Sequence, residues 1–335
     1  MAHTITLIPG DGIGPEVSDA TRRVLEATGV KIEWETHNAG ATVAELRGTT
    51  LPPEVVESVK RNKVGLKGPI GTPIGKGFRS VNVTLRQELD LYANVRPIRS
   101  LPGLEPRFEG TDIVIVRENT EDLYAGLELM IMPGIAQSIK LITERSCLRI
   151  CEYAFEYATR MNRKRVSVVH KANIMKLSDG LLLECFRRIA LEYPKLEPVE
   201  VIVDACAMQM VRNANVLDVI VTENLYGDIL SDLGAGLVGG LGIVPGSNIG
   251  KDYAIFEAVH GTAPDIAGKG LANPTALIQS AMMMLFHLGE TEAGAKIEKC
   301  IVEHFQEGGP RTPDLGGTAS TMGFANALAE RVAKA

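Results

Sequence analysis

The sequence has no two cysteines in C-x-x-C spacing, and its five, Cys147, Cys151, Cys185, Cys206 and Cys300, form an odd set. That pattern argues against a disulfide framework or a thiolate metal site. Cys147 and Cys151, four apart on a helical pattern, read as packed thiols. No uninterrupted apolar run approaches the roughly 20 residues of a membrane-spanning helix. The opening MAHTITLIPGDG turns into a glycine loop after a few apolar residues, unlike a secretory leader. Together these features lead us to expect a reducing, cytoplasmic setting and no membrane. A basic stripe is missing as well, since a net charge of −6 and a pI near 5.7 argue against a nucleic-acid surface. Internal repeats, low-complexity tracts and long linkers are absent, so composition alone marks no domain boundary.

What is present is the composition of a globular α/β protein. At 335 residues two domains are expected more than one, and 45 % hydrophobic with 23 % charged residues is ordinary. Ile5 to Ile8 reads as a short strand running into Pro9-Gly10-Asp11-Gly12-Ile13-Gly14-Pro15-Glu16, then a helix with Val17, Ala20, Val24, Leu25 and Ala27 on one side. The glycines are spaced G-x-G-x-G-P rather than G-x-G-x-x-G, so this is read as a tight βα turn and not a dinucleotide fingerprint. Residues 112–116, 166–170, 199–203 and 216–222 read as buried strands, with helical stretches at 144–160 and 178–192. Strands alternating with helices imply a largely parallel sheet covered on both faces.

Three clusters carry chemistry. Between Ser80 and Arg96, a hydroxyl (Ser80), an amide (Asn82) and two arginines (Arg86, Arg96) punctuate an otherwise apolar segment, with Arg99 and Arg117 following. The planar guanidinium matches carboxylate geometry and keeps its charge, so the region reads as a receptor for a small polycarboxylate. An exposed helix laced with ion pairs is the alternative. After the run ending Val221-Thr222-Glu223, Asp228 and Asp232 stand one helical turn apart among apolar and glycine neighbours. Like charges there repel by a few tenths of a kcal/mol. A hard cation such as Mg²⁺ or Mn²⁺ removes that repulsion, with Asp204, at the end of a strand pattern, as a third candidate ligand. A solvated face is the other reading. Finally, His260-Gly261-Thr262-Ala263-Pro264-Asp265 opens a loop of small residues able to approach a ligand closely, or simply to turn.

Read in order, PGDGIGPE (9–16), the segment 68–97, RENTEDLYAG (117–126), HKANIMK (170–176), NLYGDILSD (224–232), HGTAPDIAGKGLANP (260–274) and RTPDLGGTAST (311–321) span nearly the whole chain. The chain resembles the β-decarboxylating dehydrogenases of isocitrate, isopropylmalate and homoisocitrate. That resemblance implies an isopropylmalate-dehydrogenase-like α/β fold, not a Rossmann fold. Its large domain (1–95 and 240–335) and small domain (96–239) share a parallel or mixed sheet, with a dimer-forming clasp near 125–141. It implies that Arg86, Arg96 and Arg117 grip the substrate carboxylates and that Asp204, Asp228 and Asp232 hold the metal. By the same resemblance Lys171 would assist hydroxyl deprotonation and Tyr124 would protonate the enol carbon. Lys171, Asn173 and Asp204 would cross from the partner subunit, so the resemblance implies a homodimer.

The resemblance further implies adenosine and nicotinamide contacts at Thr72, His260, Gly261, Thr262, Ala263, Asp265, Ile266 and Asn273. Asp265 and Ile266 stand where NADP enzymes of the bacterial type carry lysine and tyrosine; an aspartate there suits ribose hydroxyls and repels a 2′-phosphate, so NAD is the expected cofactor. Ser80 and Asn82 stand where isocitrate enzymes hold the third carboxylate, so isocitrate is expected, with homoisocitrate the alternative. A non-catalytic regulatory subunit is a second alternative, against which the joint presence of Tyr124, Lys171 and the three aspartates argues.

Overall fold

The computed structural model describes residues 2–71 and 80–335. Twelve strands follow in chain order: β1 (His3–Ile8), β2 (Ile32–Thr36), β3 (Val64–Lys67), β4 (Ala93–Arg99), β5 (Asp112–Glu118) and β6 (Glu128–Met132), then β7 (Ile135–Ser138), β8 (Arg165–His170), β9 (Glu197–Ile202), β10 (Val219–Thr222), β11 (Pro245–Ile249) and β12 (Ala254–Ala258). The helices are α1 (Gly14–Glu26), α2 (Ala41–Arg47), α3 (Pro53–Asn62), α4 (Val81–Glu88), α5 (Glu144–Arg160) and α6 (Ser178–Ala190). After them come α7 (Val203–Asn213), α8 (Asn224–Val238), α9 (Thr275–His287), α10 (Thr291–Gln306) and α11 (Thr321–Lys334).

Ten strands form one sheet in the order β2-β1-β3-β12-β11-β4-β5-β10-β8-β9. Its two outer thirds are parallel, while β11 runs antiparallel to β12 and β4, and β4 antiparallel to β5. The sheet is therefore mixed, with the reversal at its centre. Alternate side chains divide the core as strand periodicity requires. Ile113 and Ile115 of β5 join one core on the α1 and α7–α11 side, and Val114 and Val116 join another beneath α5 and α6. A third cluster packs α3 and α4 on Ile8 and Ile255.

The glycine turn after β1 is a packing device. An added Cβ at Gly10 would lie 2.0 Å from the Pro69 carbonyl oxygen, and one at Gly12 would lie 2.1 Å from that of Thr262. The Asp11 and Ile13 amides donate to those same two carbonyls at 2.8 and 3.0 Å. The loop thus seats the turn on two neighbouring loops, as the irregular glycine spacing led us to expect. All five cysteines are free and buried, and among the described residues no helix is long and apolar enough to cross a membrane.

Two details depart from expectation. The strand holding residues 199–202 stops at Ile202, and Val203 begins α7, so Asp204 lies in a first helical turn rather than at a strand end. A carboxylate is favourable there because the helix N-terminus carries partial positive charge. Likewise β10 is shorter than the apolar run 216–222: Ala214–Val216 form a 3₁₀ turn, and the Asp218 carboxylate accepts from the Lys164 and Arg165 amides at 2.7 and 3.0 Å just before the strand begins. The hairpin β6–β7 extends away from the core with every side chain exposed.

Candidate active site

At the centre of the sheet, where strand direction reverses, lies a cavity of about 230 Å³. Lys67, Ser80, Asn82, Arg86, Arg96, Arg117, Tyr124, Asp228, Glu257, His260 and Gly261 are among the residues that line it. Arg96 and Arg117 come from neighbouring strands, each two residues from a core position, Ile98 and Ile115, on the same side of β4 and β5. Arg86 comes from α4 and is buried, so that helix is not a solvent face laced with ion pairs. Arg99, by contrast, points to the surface and pairs with Glu298 at 2.6 Å, which removes it from the carboxylate receptor. On a strand, Arg96 and Arg99 differ by three residues and therefore face opposite sides.

Helix α8 supplies the acidic wall. Asp228 pairs with the Arg117 guanidinium and accepts the Tyr124 hydroxyl; Arg96 stands 3.5 Å from Asp228 and 3.9 Å from Asp232. Arg117 donates from Nε and Nη2 to the Asn224 side-chain oxygen at 2.9 and 2.6 Å, and lies over the Tyr124 ring at 5.0 Å. Close approach of α8 requires Gly227, where a Cβ would meet the Arg117 side chain at 2.6 Å.

Two residues the sequence reading missed anchor the other wall. Lys67 and Glu257, paired in register across β3 and β12, form a buried ion pair of 2.6 Å. Glu257 also accepts from Arg86 at 3.2 Å and from Asn248 at 2.7 Å. The signal for both was a charged residue closing an apolar strand run just before a glycine loop, VGLKG and AIFEAVHG.

The electrostatics call for an anion. Among the described residues four cations, Lys67, Arg86, Arg96 and Arg117, face the cavity against two carboxylates, Asp228 and Glu257. Burial and the neighbouring Arg96 and Arg86 push the Arg117 guanidinium down to about 9; burial likewise lowers Arg96. Among the described residues, the Nε atoms of Arg86 and Arg96 and the Asn82 side-chain oxygen are buried without hydrogen-bond partners. Each such group costs about 1–3 kcal/mol until a ligand meets it. Burial works to raise the Asp228 carboxyl, but Arg117, the Tyr124 hydroxyl and Arg96 together hold it below the usual range. Burial, then the hydrogen bond to Asp228, raises the Tyr124 phenol, so it keeps its proton. His260, kept neutral by burial, has its Nε2 buried and unpaired beside Gly261.

The remaining expected residues lie apart from the cavity. Lys171 and Asp204 pair with each other at 2.5 Å, and the Asp204 side chain is 70 % exposed. Asn173 is exposed next to them. Among the described residues no three metal-ligating side chains come together, so Asp204 does not join Asp228 and Asp232 within one chain. Asp265 is exposed in a 3₁₀ turn with Ile266; Ala263, just before it, has φ of 38°. The Thr262 carbonyl holds the Ile13 amide. Asn273 is occupied internally, donating to Asp314 at 2.9 Å and accepting the Thr275 amide at 3.0 Å. Thr72 lies outside the described residues.

A polyanion cavity at the reversal of a mixed sheet, with a phenol and two carboxylates in its wall, defines an α/β enzyme acting on a small acidic substrate. Residues 4–330 match the isocitrate/isopropylmalate dehydrogenase family, and the chain belongs to it. A crystal structure of isocitrate dehydrogenase from Methylococcus capsulatus superposes with a TM-score of 0.96 at 53 % identity, covering 99 % of both chains. The mitochondrial NAD isocitrate dehydrogenase catalytic subunit 5 of Arabidopsis thaliana is 53 % identical over 98 % of this chain and 88 % of its own length. One regulatory subunit of the mitochondrial NAD isocitrate dehydrogenase of Dictyostelium discoideum is 50 % identical over 98 % and 91 %. Within the family the chain stands with the NAD isocitrate dehydrogenases. These names correct the cytoplasmic expectation, because such relatives are mitochondrial. The reasoning failed because unpaired thiols exclude only an oxidising setting and do not tell one reducing compartment from another.

Proposed function

We propose that the chain is a catalytic NAD-dependent isocitrate dehydrogenase, converting isocitrate and NAD⁺ to 2-oxoglutarate, CO₂ and NADH. The observation that carries this reading is the excess of buried cations in one cavity among the described residues, with the Arg86 and Arg96 Nε donors unpaired there and Ser80 and Asn82 in the wall. Three guanidiniums suit the three carboxylates of isocitrate, each charge-assisted bond contributing about 1.5–3 kcal/mol. A hydroxyl and an amide beside them would be left unpaired by the isopropyl group of isopropylmalate, which such a wall disfavours.

Asp228 and Asp232 fit a divalent cation, Mg²⁺ or Mn²⁺. They are hard oxygen donors one turn apart, Asp228 held ionised by its neighbours, with Asp204 of a second copy completing the set. When bound, the metal supplies Lewis-acid polarisation of the substrate hydroxyl oxygen. His260, Gly261, Thr262, Ala263, Asp265 and Ile266 would hold NAD⁺, with Thr72 and Asn273 as further expected contacts, and the cofactor would supply the hydride acceptor.

The chain's own groups do the rest. Lys171 of a second copy, with Asn173 beside it, receives the hydroxyl proton as C2 loses its hydride. The carboxylate β to the new ketone then leaves as CO₂, its bonding electron pair remaining as an enolate. Tyr124 donates its proton to C3 of that enolate. A phenol kept protonated by burial suits this role.

The second copy is itself part of the proposal, as a homodimer. The β6–β7 hairpin leaves Leu129, Met130, Ile131, Met132 and Ile135 exposed, and an isolated two-stranded hairpin is marginal in water. On this reading residues 1–95 with 240–335 form the larger unit and 96–239 the smaller, with the hairpin as clasp. One rate matrix tests it: isocitrate, homoisocitrate and isopropylmalate with NAD⁺ or NADP⁺, with and without Mg²⁺. The expected outcome is metal-dependent NADH formation with isocitrate; faster turnover of another acid or of NADP⁺ would reject the corresponding assignment. An inactive chain that still binds isocitrate would point to a regulatory subunit. Asp265→Lys with Ile266→Tyr should lower kcat/KM for NAD⁺ by about tenfold.

A further inference from the structure

Away from the cavity, one lysine sits among buried carboxylates. Lys140, just past the end of β7, places its ammonium 2.5 Å from Asp179 and in contact with Glu223, over the Tyr226 ring at 4.7 Å. Asp179 is fully buried and Glu223 nearly so. Each carboxylate leads to a different part of the proposed chemistry. The second Asp179 oxygen accepts the Lys171 backbone amide at 2.6 Å and the Tyr226 hydroxyl at 3.2 Å. Glu223 is the residue before α8, the helix that carries Asp228 and Asp232 one and two turns on. The adjoining residue Leu141 accepts the Asp122 amide at 2.8 Å, and the Asp122 carboxylate in turn accepts the Leu225 amide of α8 at 2.8 Å. Asp122 also begins the turn bearing Tyr124.

We infer that Lys140 is a positioning residue. Through Asp179 and Glu223 it fixes the backbone of Lys171 and the first turn of α8 against the base of the clasp, so that dimer formation and placement of the proton-handling groups are mechanically one event. The inference rests on the reading above, in which Lys171 receives the hydroxyl proton. Its physical basis is that two buried carboxylates tolerate each other only while the ammonium stands between them. Without it the three segments part or one carboxyl takes up a proton, and the Lys171 amide loses its fixed acceptor.

The test is Lys140→Met in the intact protein, with four readouts: kcat, KM for isocitrate, the primary deuterium isotope effect with isocitrate labelled at the hydroxyl-bearing carbon, and hydrogen exchange of the Lys171 amide. Turnover should fall between about tenfold and a hundredfold, as for a reacting group misplaced by around an ångström. KM for isocitrate should stay within about threefold, because the arginine cavity is untouched. The isotope effect should rise, the Lys171 amide should exchange faster, and Lys140→Arg should recover part of the loss. Turnover that merely tracks the folded fraction, with wild-type isotope effect and exchange, would overturn the inference. Should Lys140→Met fail to fold, Lys140→Met with Glu223→Gln leaves Asp179 as the single carboxylate of the pair, restores the cluster's net charge and is judged by the same measures. A wild-type chain that does not turn over isocitrate rejects the functional reading alone; Lys171 amide exchange in the variant still decides the positioning claim.

Discussion

The arginine cavity and the Lys171–Asp204 edge differ in nearly every physical respect. In the cavity Arg117 is 1 % exposed and held by the buried Asn224, Arg86 is held by the buried Glu257, and the buried Arg96 stands 3.5 Å from Asp228, so the groups are set before substrate arrives. At the edge, Lys171 and Asp204 hold each other at the surface, where water and salt screen an ion pair and it is easily exchanged. The contrast teaches that, on the proposed reading, one chain carries a preformed receptor and leaves its reaction centre to be completed by a second copy. Side chains that would complete the centre face outward, where a second copy can use them.

The strongest way to break this comparison is complementation. Lys171→Met and Tyr124→Phe should each lose most turnover, about a hundredfold or more for a missing proton-transfer group. Mixed, denatured together and refolded, the two inactive proteins should regain about a quarter of wild-type activity, because a hybrid dimer contains one intact shared site. No recovery would mean that the site is built within one chain.

The two arginines three residues apart sharpen it next. Arg96→Ala should lower kcat/KM for isocitrate by roughly ten- to a hundredfold, corresponding to one charge-assisted bond. Arg99→Ala should leave it within about twofold, since its partner is the exposed Glu298. Equal effects would show that the cavity does not discriminate them.

Gly227→Ala probes how tightly the receptor is set. The added methyl meets Arg117 Cγ and Cβ at 2.6 and 2.7 Å, too near the backbone for the side chain simply to swing away. KM for isocitrate should rise by an amount corresponding to about 1 kcal/mol or somewhat more, measured by steady-state kinetics beside a thermal melt.

The smallest effect concerns pH and the whole fold rather than the site. Burial lowers the imidazoles of His170, His260, His287 and His304. Once unfolded they titrate near 6.5, so below that pH the unfolded chain binds more protons and stability falls as pH falls. Melting temperature should drop between about pH 7.5 and 5.5, and less steeply in His304→Gln, which loses one titrating imidazole. An unchanged slope in that variant would remove His304 from the account.

Much of the fold was legible because periodicity is local. The strand at 112–116 and the helix at 144–160 appear where the apolar pattern placed them, and the irregular glycine spacing of 10–14 did mark a packed turn. The motifs also carried Arg86, Arg96, Arg117, Tyr124 and Asp228 into one cavity. The failures have a common source in distance along the chain. Arg99 looked equivalent to Arg96 until strand alternation sent it outward. Lys67 and Glu257 lie 190 residues apart and meet only because β3 and β12 share a register. Lys140, which the sequence reading did not single out, is enclosed by carboxylates from two other segments.

By itself, then, the order of residue types determined the α/β architecture and pointed to an acidic ligand, because apolar spacing and guanidinium chemistry act over a few neighbouring positions, while the ordered motifs from 9–16 to 311–321 carried the family resemblance. Tertiary structure alone decided which arginines face the cavity, which carboxylates hold them, and that Lys171 and Asp204 are turned away from it. Those outcomes depend on strand register and crossover connections, which bring distant segments together in a way no local pattern encodes.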